Sequence, residues 1–134
     1  MKNGLTDYYH DVLAEISQRV RNENVVFEYS ETQKQLEDEI DGYVFKLPAD
    51  SDKLIDIGIK LHNCVASYKT RVLNGSCTIV YAEKKGVPEI CIEIRENTIH
   101  QQRIDHNAEP KGETKVVMEK YQNRHKLKFF GNSY

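Results

Sequence analysis

Residues 61–68 read Leu-His-Asn-Cys-Val-Ala-Ser-Tyr and lie in the longest helical pattern of the chain. Leu54, Ile57, Leu61, Val65, Tyr68 and Val72 recur three or four residues apart, the spacing of one buried helix face. Asp50, Ser51 and Asp52 are good N-cap residues for this helix, and Asn74-Gly75 ends it. Gly58 interrupts the pattern, and a helical glycine costs about 1 kcal/mol against alanine. Two readings fit. One is a continuous helix from 52 to 73; the other breaks between Gly58 and His62, with a second helix capped by Asn63 and beginning at Cys64.

Three strands follow. Cys77 to Glu83 is rich in β-branched residues, and Lys84-Lys85-Gly86-Val87 reads as a turn. Glu89 to Arg95 alternates, with Ile90, Ile92 and Ile94 on one face and Cys91, Glu93 and Arg95 on the other. Glu96-Asn97 suits a two-residue hairpin leading into Thr98 to Ile104. In that register Ile94 faces Ile99, Glu93 faces His100 and Ile92 faces Gln101. The apolar face (Ile90, Ile92, Ile94, Ile99) is expected to meet the central helix, and Gln101 and Arg103 continue it. A buried amide without partners costs about 1–3 kcal/mol, so Gln101 is expected to meet the polar side chains of 62–68. The opposite face offers a Glu93–His100 pair.

The remaining segments are read around this core. Residues 5–22 form an amphipathic pattern, and Val25 to Phe27 is a short strand or a buried connection. Glu31 to Ile40 reads as a short surface helix, Asp41-Gly42 as a turn, and Tyr43 to Leu47 as a strand stopped by Pro48. Asp105 to Gly112 is a polar loop, and Glu113 to Lys126 a closing helix with Val117, Met118 and Tyr121 inward. The last eight residues, aromatic and basic, are expected to be loose. The expected fold is α+β: an antiparallel sheet of three to five strands packed on a central helix, with flanking N- and C-terminal helices. At 134 residues the whole chain, 1–134, is expected to form one domain.

Composition narrows the function. No apolar run approaches the ~20 residues that span a bilayer, and Met-Lys-Asn-Gly-Leu-Thr-Asp lacks the apolar core of a signal peptide. Three cysteines without paired short spacings fit a reducing compartment. A cytoplasmic protein with no membrane partner is therefore expected. The net charge of −2 argues against coating nucleic acid by bulk charge. The C-terminal segment carries Lys111, Lys115, Lys120, Arg124, Lys126 and Lys128 against Glu113 and Glu119. It is read either as a solvated helix face or as a phosphate contact.

The polar residues allow three chemistries. The first is a cysteine enzyme. Cys64 at a helix N-terminus would be the nucleophile, His62 or His100 the base, and Gln101 or Asn107 an orienting or oxyanion group, with Tyr68 the remaining candidate of the catalytic set. The competing reading makes Cys64 a core residue, Tyr68 a core aromatic whose hydroxyl finds an amide, and Gln101 with Asn107 a polar clasp. The second is metal binding by His62 and Cys64 with Cys77, Cys91, His100 or His106. It is disfavoured because Cys91 and His100 are expected to leave the sheet on the face away from Cys64, so neither metal nor other cofactor is expected. The third is partner binding, for which Asn63, Arg103, Lys120 and Arg124 are the candidate contacts.

Tyr43 to about Tyr121 resembles the PcfJ-like family of plasmid and phage proteins. The resemblance rests on the order Leu61, His62, Cys64, Val65, Tyr68, then Glu93-Ile94, then Gln101, Arg103 and Asn107, with Pro48 ahead of the helix. Ile104 stands where that family usually has glycine. The resemblance implies mobile-element biology in a bacterial cell and no particular reaction. The expectation it supports is an accessory protein that binds a protein or nucleoprotein partner, a host defence component among the possibilities. Thiol catalysis by Cys64 is the alternative.

Overall fold

The computed structural model describes residues 24–130; the amphipathic pattern of 5–22 lies outside them. In chain order the elements are α1 (Glu31–Lys34), β1 (Asp38–Ile40), β2 (Tyr43–Lys46), α2 (Ser51–Leu61), a 3-10 turn η1 (Val65–Tyr68) and α3 (Lys69–Leu73). There follow β3 (Thr78–Lys84), β4 (Val87–Arg95), β5 (Thr98–Arg103), a second 3-10 turn η2 (Asp105–Asn107), α4 (Glu113–Arg124) and β6 (Lys128–Phe129).

The six strands form one sheet in sequence order. Every neighbouring pair is antiparallel except β5–β6, which is parallel. The sheet is thus larger than the three to five strands expected, and mixed. The tail is not wholly loose: the Lys128 amide donates to the Asn97 carbonyl at 2.8 Å and the Phe130 amide to the Ile99 carbonyl at 2.9 Å. The 31–40 segment also differs, because one helical turn gives way to strand β1. Three hairpins close on two-residue turns in which both residues have positive φ: Asp41-Gly42, Lys85-Gly86 and Glu96-Asn97. Such turns match the strand twist.

Helices cover both faces of the sheet, not one. On one face Leu54, Ile57 and Leu61 of α2, with Val65 and Val72, pack on Cys77, Ile79, Tyr81 and Cys91. On the other, Val117, Met118 and Tyr121 of α4 pack on Phe45, Val80, Ala82, Ile90, Ile92, Ile94 and Ile99. The isoleucine face expected under the central helix therefore lies under the closing helix. The alternation of β3 shows why both faces are needed: Ile79 and Tyr81 point one way, Val80 and Ala82 the other, and all four are buried. Full burial of one such side chain contributes about 1.5–3 kcal/mol. Tyr121 is completely buried. Its ring stacks on Phe45 at 4.1 Å and 8°, and its hydroxyl donates to the Leu36 carbonyl at 2.6 Å.

The central helical pattern breaks, as one of the two sequence readings had it. Asp50 caps α2, its carboxylate accepting from the Lys53 amide at 3.0 Å. The helix ends at His62, which takes the left-handed conformation with φ 53° and ψ 52°. Glycine is the usual residue at such an end. Gly58 is not itself the break, since it lies inside α2. A Cβ there would sit 3.0 Å from the Asn63 carbonyl oxygen, so the glycine lets the chain fold back across the helix.

Candidate functional site

A bulge in the β4–β5 pair decides which side chains meet. Arg95 pairs with Thr98 and Ile94 with Ile99, as expected, but Glu93 pairs with Gln101, Ile92 with Gln102 and Cys91 with Arg103. His100 is the extra residue. It moves every later side chain of β5 to the other face. The Glu93–His100 pair does not form; His100 lies instead against Phe130, ring centroids 4.6 Å apart. The glutamine on the isoleucine face is Gln102, whose buried Oε1 has no hydrogen-bond partner among the described residues. Gln101 and Arg103 share the face of Glu93 and Cys91. That face is the one α2 covers, so Gln101 lies on the side of the 62–68 segment although neither step of the expected route holds.

Around Glu93 the signature residues form a polar cluster at the edge of the α2-side core. Glu93 is 4% exposed. Its carboxylate accepts from Arg95 Nε at 2.6 Å, with the Arg95 Nη2 in contact with the same oxygen, and from the Tyr68 hydroxyl at 3.3 Å. The Arg71 guanidinium lies over the Tyr68 ring at 4.6 Å, a cation–π contact. Tyr68 is half-buried, and its hydroxyl meets a carboxylate where an amide was expected.

Cys64 is half-buried and precedes η1. The element it opens is a four-residue 3-10 turn, not the α-helix N-terminus on which thiolate activation was argued. Burial pushes its thiol above the usual value. Cys77 is pushed up to about 11 and Cys91 to about 12, first by burial and then by the charge of Glu93. Cys91 belongs to the core cluster of Leu61 and Val65, not to the opposite face.

Beyond Cys64 the end of α2 meets η2. His62 Nδ1 donates to Asp105 Oδ1 at 2.7 Å. His106 stacks on His62 with ring centroids 4.3 Å apart and an interplanar angle of 14°, and its Nδ1 lies 3.2 Å from the same carboxylate oxygen. The His62 hydrogen bond, against a smaller opposing effect of burial, holds the Asp105 carboxyl below its ordinary range. The turn is shaped by the Ile104 amide donating to the Ala108 carbonyl at 2.8 Å. His106 and Asn107 follow with φ of 57° and 58°. Ile104 itself is extended, φ −109°, a conformation that suits a β-branched side chain.

The binding candidates divide. Asn63 has a structural task, its side-chain oxygen accepting from the Val65 amide at 3.0 Å. Arg103 donates to the neighbouring Gln102 carbonyl at 3.0 Å. Lys120 and Arg124 are engaged within the fold, with Asp41 at 2.7 Å and Asp38 at 3.0 Å; both acids belong to the β1–β2 hairpin. Two of the three cations on the closing helix, Lys120 and Arg124, are thus paired with acids of that hairpin. Asn107 is exposed on η2. Asp105 was missed as a site residue, and His106 was named only as one of several candidate metal ligands; the adjacency of the two in a polar loop, starting two positions past Arg103, was the signal available.

The PcfJ-like protein model matches residues 6–118, most of the chain and including all of this site. The chain belongs to the PcfJ-like family. The match begins well ahead of Tyr43, where the sequence resemblance started. No curated protein and no solved structure matches the chain significantly. No helix among the described residues is long and apolar enough to cross a membrane.

Proposed function

We propose that the chain is an accessory protein of a plasmid or phage that binds a protein or nucleoprotein partner through the edge formed by the end of α2, η1 and η2. The observation that carries this reading is the form of the signature site. Leu61 and Val65 anchor it in the core, while His62, Ser67, Asp105, His106 and Asn107 stand exposed along one edge. Polar groups held by core-anchored neighbours on an open surface suit recognition, whereas catalysis is favoured by a water-excluding cleft. The raised thiol of Cys64 points the same way. The paired cations of α4 favour a protein contact over direct contact with phosphate.

A photo-crosslinking residue in place of exposed Ser67 tests this in cells carrying the mobile element, with exposed Lys115 of α4 as the control position. The reading expects a discrete protein adduct from position 67 and none from position 115. No adduct from 67, or equal labelling from both, counts against it.

A further inference from the structure

We propose that His62, Asp105 and His106 form a binding site for a first-row transition dication of the zinc class. One donor atom from each lies within 4.8 Å of the other two. The two Nδ1 atoms are 2.7 and 3.2 Å from Asp105 Oδ1. Four-coordinate zinc with bonds of about 2.0–2.1 Å places its ligand atoms roughly 3.4 Å apart; closing this set on an ion requires the two rings, now stacked at 14°, to turn about their side-chain bonds until both nitrogen lone pairs converge on it. Two imidazoles and a carboxylate select zinc, cobalt, nickel or iron(II) over magnesium and calcium, which prefer all-oxygen sites.

The backbone supplies a second reason. His62 and His106 both have left-handed φ, 53° and 57°, which costs a non-glycine residue about 1–2 kcal/mol each. Strain of this kind gathers at ligand sites, and here it brings together the rings of His62 and His106 from elements far apart in sequence. Both elements are anchored: the Asn63 amide donates to the Gly58 carbonyl at 3.1 Å, and Ile104 is tied to Ala108. The side chains of His62, Asp105 and His106 are 46%, 56% and 73% exposed. An ion held by three such ligands has positions open to water or to a donor from another molecule. Metal binding by the isolated chain does not depend on whether a partner docks at this edge.

Titration of the full chain with Co2+ under reducing conditions, followed by its visible absorption and by Zn2+ competition, tests the site. The result expected is saturation at one ion per chain, without a thiolate charge-transfer band, and perturbation of the His62 and His106 ring signals in NMR. His106→Asn and His62→Asn keep a residue that tolerates left-handed φ, and each should weaken binding about tenfold or more. Asp105→Asn should do the same, and Cys64→Ser should leave binding unchanged. Absence of saturable binding overturns the proposal. So does affinity that survives both histidine substitutions, or that is lost with Cys64→Ser.

Discussion

His62 and Asp105 join the end of the central helix to the turn after β5, Nδ1 to Oδ1 at 2.7 Å. That bond fixes how the two halves of the family signature meet. One half ends α2 and builds η1; the other runs along β5 into η2. Between them Tyr68 reaches Glu93, so the signature is held by one carboxylate inside the fold and another on its surface.

The close approach at Gly58 carries the first prediction. Alanine in a helix interior normally stabilises by about 1 kcal/mol over glycine. Here the added Cβ meets the Asn63 carbonyl at 3.0 Å and Val65 Cγ1 at 3.7 Å. Gly58→Ala should therefore destabilise the protein, by about 1–2 kcal/mol, measured as a lower urea midpoint at unchanged m-value. A rise in the midpoint would mean that the turn at His62 gives way freely.

The cluster at Glu93 predicts an order of effects. Arg95→Met leaves a carboxylate that is 4% exposed without its main partner, and should cost about 2–3 kcal/mol. Tyr68→Phe removes one longer hydrogen bond of 3.3 Å and should cost about 1 kcal/mol or less. Denaturation of the two variants side by side checks the order. Equal losses would show that Arg95 contributes only a surface ion pair.

Tyr121 offers a test of the other core. Tyr121→Phe keeps the stack on Phe45 but leaves the Leu36 carbonyl without its donor. The expected loss is about 1–2 kcal/mol, and Tyr121→Ala should lose about 3–5 kcal/mol. Thermal unfolding of both separates the hydroxyl from the ring.

Acid stability should depend on Asp38. Burial tends to raise its pKa, but hydrogen bonds from the Glu39 amide, His125 and Arg124 together hold it below the usual 3.8. A depressed carboxylate stabilises the fold fully above its unfolded pKa and loses that contribution as pH falls through the folded one. The Asp38 contribution should thus be intact at neutral pH and fade below about pH 3.8. Asp38→Asn should be less stable than the parent at pH 7, by about 1 kcal/mol, and the gap should close in acid. Denaturant curves at pH 7 and pH 3 measure it.

Much of the fold was legible because local signals agreed. Asp50 capping, the i, i+3, i+4 spacing of Leu54, Ile57 and Leu61, the Glu96-Asn97 turn and the inward set Val117, Met118 and Tyr121 all stand as the sequence implied. Three features were not legible. Nothing in Ile99-His100-Gln101 marks the bulge, because a one-residue insertion leaves the alternating pattern plausible in either register. Nor did the pattern show which helix takes the isoleucine face, since α2 and α4 both present apolar stripes. β1 was hidden for another reason: three residues paired at a sheet edge carry too little periodicity to be told from a helical turn. At the site, His62 was visible from its spacing to Cys64. Its partners Asp105 and His106 come from a turn whose left-handed residues no local rule demanded.

The most direct test of the account is the alkylation rate of Cys64 against pH in the folded chain, with each modified cysteine identified by mass. The account predicts slow modification of Cys64, rising only above the ordinary thiol pKa of about 8.5, with Cys77 and Cys91 protected until unfolding. A fast Cys64 reaction titrating well below that value, and lost on changing His62, would contradict it and make thiol catalysis the function to pursue.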